Sequence, residues 1–77
     1  MDLWRLRIFC RVVEQRSFSK AADSVSLSQP TVSSHVKDLE AHFGCRLIDR
    51  VGRRIVPTGA GEFLYRRAVA LLAHYDE

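Results

Sequence analysis

From Leu3 to Gln15 the apolar residues fall into two helical stripes rather than one. Projected at about 100° per residue, Leu3, Leu6, Phe9, Cys10 and Val13 share one face, and Trp4, Ile8 and Val12 share a second. Arg7 and Arg11 separate the stripes on one side, Arg5 and Arg16 on the other. A helix with two apolar stripes packs on two things: the core of its own domain, and another helix supplied by this chain or by a partner. Ser17 signals a new helix start. Phe18, Ala21, Ala22 and Val25 follow at the spacing of a short helix buried on one side, with alanines that permit close helix approach. Val25-Ser26-Leu27 then leaves a turn of only about three residues, plugged by Leu27.

The stretch Ser28 to Leu39, SQPTVSSHVKDL, predicts a third helix. Ser28 can cap it by accepting a backbone N–H of the first turn. Pro30 falls in that turn, where a missing N–H costs nothing. Val32, Val36, Leu39 and Phe43 form its apolar back, and Thr31, Ser33, Ser34 and Lys37 a slim polar front. Such a front fits the major groove of DNA, which admits an α-helix. Gly44 then ends the helix as a left-handed cap.

Leu47-Ile48 and Ile55-Val56 are β-prone runs flanking Asp49 to Arg54, so a small hairpin with Gly52 in its turn and arginines at its tip is expected. Pro57 ends its second strand, and Thr58 can cap a last helix from about Gly59 to the C-terminus. In that helix Gly61, Leu64, Ala68, Leu71 and Tyr75 repeat at alternating steps of three and four, a coiled-coil seam, with Tyr65, Val69 and Leu72 alongside. A helix of that length exceeds what the preceding 58 residues can cover, so the seam is expected to meet a partner, joined by Trp4, Ile8 and Val12. The chain stops at Asp76-Glu77 without a C-cap signal, and acidic residues oppose the dipole there, which suggests a piece of a longer protein.

Size and charge narrow the function. Seventy-seven residues, 47% apolar, make one globular domain near the lower limit for an unstapled core. No apolar run is long enough to cross a bilayer and no signal peptide is evident; with Cys10 and Cys45 far apart, a reduced, cytoplasmic protein is expected. Cys10 reads as a small buried thiol. The net charge is +3, and Arg46, Arg50, Arg53 and Arg54 lie within nine residues, opposed only by Asp49. Such a cluster favours phosphate-rich partners.

Catalysis finds little support. His35, His42 and His74 lack neighbouring Cys, Asp or Glu at ligand spacing, so no metal or cofactor is indicated. No serine sits in a GxSxG elbow, and Gly59-Ala60-Gly61 lacks the features of a phosphate loop, so it reads as helix entry. A protein-docking module would present large apolar anchors on the third helix; this one presents Ser, Thr, Gln and Lys.

In the order helix, helix, turn, helix, hairpin, long helix, the stretches LRIFCRVVEQRSFSKAAD, LSQPTVSSHVKDLEAHFG and RLIDRVGRRIVPTGAG resemble the N-terminal DNA-binding domain of LysR-type transcriptional regulators. The resemblance covers essentially the whole chain, and the SFSKAA and SQPTVS strings at their mutual spacing make it specific. It implies a mainly α, winged helix-turn-helix fold over residues 1–58 and a linker helix over 59–77 that pairs two subunits of a bacterial regulator. Family members usually continue into a two-lobed domain that binds a small-molecule effector, which is not within these residues.

By position, the family's DNA contacts fall on Ser28, Gln29, Pro30, Thr31, Ser33 and Lys37, and on Arg53 and Arg54 of the wing, with Arg50 beside them. The chemistry agrees. Gln29 can present its amide to an adenine edge and Thr31 its methyl to thymine. Ser33 and Ser34 can bond a base or a phosphate, and a wing arginine can enter a narrow A·T-rich minor groove. Many relatives carry arginine where this chain has Ser34, which leaves base preference at that point open; His35 or Lys37 compensates, or His35 simply covers the core edge. For dimerisation the expected residues are Trp4, Ile8, Val12, Leu64, Ala68, Leu71, Leu72 and Tyr75. The partner is then double-stranded DNA with a partly palindromic site, half-sites lying about one helical turn or more apart.

Overall fold

Short polar side chains set the helix boundaries in the computed structural model, which describes residues 2–75; Asp76 and Glu77, where the sequence carries no C-cap signal, lie outside the described residues. Helix α1 (Leu3–Gln15) is capped by Asp2, whose carboxylate accepts the Arg5 N–H at 2.9 Å. That bond holds the Asp2 carboxyl below its ordinary range. Helix α2 (Phe18–Val25) is capped by Ser17, and α3 (Gln29–Phe43) by Ser28, whose hydroxyl oxygens accept from the N–H of Lys20 and of Thr31. Pro30 sits in the first turn of α3, and Gly44 closes the helix at φ +70°. Between α2 and α3 the chain turns through Ser26 in the left-handed region, and Leu27 donates back to the Ala22 carbonyl.

Strands β1 (Ile48–Val51) and β2 (Arg54–Pro57) pair antiparallel, with Val51 opposite Arg54 and Arg50 opposite Ile55. The hairpin loop is therefore only Gly52-Arg53, shorter than the Asp49–Arg54 loop expected. Leu47 stands outside the ladder, and Arg50 and Arg54 belong to the strands. Glycine at the first loop position with φ +64° is the demand of a tight two-residue turn. Helix α4 (Gly59–Tyr75) follows at once.

The main core joins Ile8, Phe9, Val12 and Val13 of α1, Ala21 and Ala22 of α2, and Val32, Val36 and Leu39 of α3 to Leu47, Ile48 and Ile55. Phe18, Val25 and Leu27 close its edge. A second cluster packs Leu6 and Cys10 of α1 on Ala68 and Leu72 of α4, edged by Leu3, Leu64 and Tyr65. The first apolar stripe of α1, through Leu3, Leu6 and Cys10, therefore meets a helix of its own chain. Burial pushes the Cys10 thiol up to about 11, so it packs as a small hydrophobe; Cys45 is an exposed free thiol.

These packings correct three expectations. Ile8 and Val12 are completely buried in the main core and Ala68 is buried against α1, so none of the three can meet a partner; Leu72 is 8% exposed, mostly covered by α1. Periodicity finds which residues share a face but not what covers it. The α1 stripe that receives α4 is Leu3, Leu6 and Cys10, not Trp4, Ile8 and Val12. Phe43 lies 42% exposed beyond the core, its ring edge-on to His42, rather than on the buried back of α3.

The segment Arg46–Ile48 is fastened from both sides. The Glu40 carboxylate accepts the N–H groups of Leu47 and Ile48 at 2.8 and 3.3 Å. Thr58 donates its N–H to the Leu47 carbonyl and its hydroxyl to the Arg46 carbonyl, while its Oγ1 accepts from Gly61 N–H at 3.0 Å. Gly61 is pressed so close to Leu47 that a Cβ on it would overlap the Leu47 carbonyl. One short stretch thus sets the wing relative to α3 and the direction in which α4 leaves the domain. In the second turn of α4, Tyr65 donates its hydroxyl to Glu14 at 2.9 Å, which ties α4 to the last turn of α1 and raises the phenol's pKa.

Candidate nucleic-acid interface

With its back in the core, α3 exposes Gln29, Pro30, Thr31, Ser34 and Lys37, while Ser33 is half-buried. Ser28 is exposed and its hydroxyl lies 2.8 Å from that of Thr31, so the two short side chains brace each other at the start of the helix. No bulky side chain stands among them, which leaves the helix able to approach another surface closely.

The wing lies beside this front, and the start of α2 lies between them. One depression, of about 230 Å³, is lined by Arg16, Ser17, Ser19, Gln29, Arg50 and Arg53. A second, of about 100 Å³, gathers Phe18, Ser33, Lys37, Arg46 and Arg50 on the other side of Arg50. Arg54 faces a third, with Arg16, Ser17 and Lys20. The expected residues Gln29, Ser33, Lys37, Arg50 and Arg53 therefore share one basic surface, and Arg54 lies beyond its edge with Arg16 and Lys20. The Arg50 guanidinium rests over the Phe18 ring at 5.7 Å, which steadies its long side chain. Arg46 pairs with Asp49 at 3.3 Å and donates to the Ile48 carbonyl, so part of its charge is spent within the wing.

Sequence reasoning missed the start of α2 as part of this surface. Its positive helix end and Ser17, flanked by Arg16 and Lys20, form the seat between the wing and α3. The Ser17 cap was the signal that pointed there. His35, by contrast, sits half-buried on the flank of α3. Its Nδ1 is shielded without a hydrogen-bond partner, and the ring is close enough to Asp2 to help hold that carboxyl low. It lies toward α1 rather than on the front.

The other expected set divides. Trp4, Leu71 and Tyr75 are 47, 46 and 67% exposed, and Leu64 is half-buried against α1. Val69 is exposed too, and with Trp4, Arg11, Val25 and Leu72 it lines a groove of about 310 Å³ between α1 and α4. Phe63, unremarked in the sequence, lies exposed with Arg67 over its ring at 5.3 Å. Among the described residues no group of three or more His, Cys, Asp or Glu is placed to hold a metal ion, and no helix is long and apolar enough to cross a membrane.

The family model described as "Bacterial regulatory helix-turn-helix protein, lysR family" matches residues 3–62. The chain belongs to the lysR family. Among curated relatives, the transcriptional regulator BenM of Acinetobacter baylyi is 40% identical over all 77 residues, which span 25% of that protein. CysL of Bacillus subtilis is 39% identical over 72 residues, covering 94% of this chain and 24% of CysL. The chain thus spans about a quarter of the length of these regulators. The structure of the BenM DNA-binding domain in complex with catB site 1 DNA superposes with a TM-score of 0.95 at 41% identity, covering 99% of this chain and 84% of that one. The lysR-family fold accounts for each element of the chain: three helices, a two-stranded wing and a long final helix.

Proposed function

We propose that the chain is the sequence-specific, double-stranded DNA-binding part of a dimeric, cytoplasmic bacterial transcription regulator. In this reading residues 1–58 are the reading domain and 59–77 the pairing segment, built on α4. The observation that carries this reading is the slim polar front of α3 set beside the basic wing across the start of α2. The solved complex of the similar BenM domain with DNA supports it. In this reading α3 enters the major groove from Ser28 to Lys37. Gln29 and Thr31 read base edges, Ser33, Ser34 and Lys37 bond bases or phosphates, and Pro30 packs against the groove wall. Arg50 and the start of α2 hold phosphates, and Arg53 and Arg54 follow the flanking minor groove. No role is left for a cofactor. A small-molecule effector would act through a further domain.

Gln29→Ala tests the base-reading role. Its expected cost is about 1–3 kcal/mol at one base pair, with preference relaxed at that position alone. Competition binding against single-base variants of a selected site measures this. A uniform loss over all sequences would contradict it.

Two copies are proposed to pair through the exposed flanks of α4, centred on Leu71 and Tyr75 with Trp4 and Val69 on the other side of the helix. Leu71→Asp should then yield monomers in sedimentation, because pairing would have to bury a carboxylate in a largely apolar contact. A dimer unchanged by this substitution would refute the surface.

A further inference from the structure

The outward face of α3 carries one carboxylate that the DNA-binding reading leaves unexplained. Asp38 lies one turn beyond Ser34 and beside Lys37, and it is exposed. Unneutralised, an anion there would repel the phosphates that the same helix is proposed to approach. The other acid on this helix, Glu40, is spent on the Leu47 and Ile48 amides.

Asp38 has a cation from a different element. Arg5, on α1, brings its Nε to 3.4 Å from Asp38 Oδ2 and its Nη1 to 3.2 Å from Asp2 Oδ2. The Nε atom is shielded from solvent, and its contact with the Asp38 carboxylate is an ion pair without a hydrogen bond. Anchored to Asp2, which also caps α1, Arg5 is held away from a free reach toward a duplex. His35 borders the same group of charges, through its influence on Asp2.

We infer that Arg5 is a positioning residue for DNA recognition: it cancels the Asp38 charge and draws that carboxylate toward α1, so that the third turn of the recognition helix can approach the phosphate backbone. The inference rests on the DNA-binding reading and adds a residue outside the helix-turn-helix and the wing. It also assigns the first turn of α1 an electrostatic role beyond packing.

A double-mutant cycle tests it, with Arg5→Gln, Asp38→Asn and the pair compared with the unaltered chain. The probe is a duplex recovered by selection from a random pool, and affinity is read by fluorescence anisotropy at two salt concentrations. Arg5→Gln should bind about three- to tenfold more weakly at low salt, the size expected of one uncancelled charge near a phosphate, with the difference shrinking as salt screens it. Asp38→Asn should bind at least as tightly as the unaltered chain, and adding Arg5→Gln to it should cost nothing further. An unchanged affinity for Arg5→Gln overturns the inference. An equal loss in both backgrounds overturns it too, because Arg5 would then touch DNA itself. If circular dichroism shows Arg5→Gln unfolded, Asp38→Asn alone decides, and weaker binding by that variant overturns the inference. Failure of the unaltered chain to bind any selected duplex would overturn the DNA-binding reading and this inference together; normal binding without an Arg5 effect overturns only the latter.

Discussion

Gly61→Ala should lower the thermal midpoint by roughly 10–20 °C, equivalent to about 3 kcal/mol in a domain of this size. In an ordinary helix the same exchange stabilises by up to about 1 kcal/mol, so the sign of the effect is diagnostic. Here a methyl group would overlap the Leu47 carbonyl. That carbonyl cannot retreat freely, because Leu47 is bonded on one side by Glu40 and on the other by Thr58. The strain has to be relieved by moving α4, which would uncover Leu6 and Cys10 and change the angle at which that helix departs. Gly59→Ala is the control: a methyl group there would meet nothing within 4 Å, and the exchange should be neutral or slightly stabilising. Thermal unfolding followed by circular dichroism checks both. A midpoint for Gly61→Ala equal to or above that of the unaltered chain would contradict the close approach of α4 to Leu47.

Removing both arginines at the end of the wing should cost DNA binding rather than stability. Arg53 and Arg54 are exposed and line depressions beside Gln29 and beside Lys20. Charged hydrogen bonds are worth about 1.5 kcal/mol or more each, so Arg53→Ala with Arg54→Ala should weaken binding about a hundredfold. If both touch phosphates, the log–log salt dependence should flatten by about 1.8, since each neutralised phosphate contributes about 0.9 to the slope. The thermal midpoint should hardly change, because neither side chain is buried. Affinity and salt slope both unaltered would remove the wing from the interface.

Much of this architecture can be read from side chains with one dominant local role. Ser17, Ser28 and Gly44 mark helix ends because caps and left-handed turns are local demands, and the α1, α2 and α3 boundaries follow from them. The front of α3 is legible for the same reason: what the apolar back buries, the polar face must leave outside. The partners of an apolar stripe are a different matter. Ile8 and Val12 read equally well as core or as interface, and only the three-dimensional packing of α2 and α3 decides that they are core. Ala68 reads from its spacing as part of a coiled-coil seam and Leu72 as part of the line beside it, yet they cover Leu6 and Cys10 of the same chain. Nor does any short-range pattern reveal that Glu40 reaches amides seven and eight residues away. That bond is what places the wing beside the recognition helix. The basic seat at the start of α2 is likewise a product of tertiary structure, assembled from Arg16 and Ser17 on one side and Arg50 and Arg53 on the other.

The geometry makes one demand on any DNA that the chain recognises. In the proposed reading the front of α3 would read one short stretch of major groove, the wing would reach only the groove next to it, and two copies joined through α4 would repeat the arrangement about a two-fold axis. Selection of bound duplexes from a random-sequence pool tests this claim most directly. The account predicts enrichment of a partly palindromic sequence with two half-sites about one helical turn or more apart and A·T-rich flanks where the wings lie. A pool that shows no enrichment, or that converges on a single unpaired half-site, would contradict it.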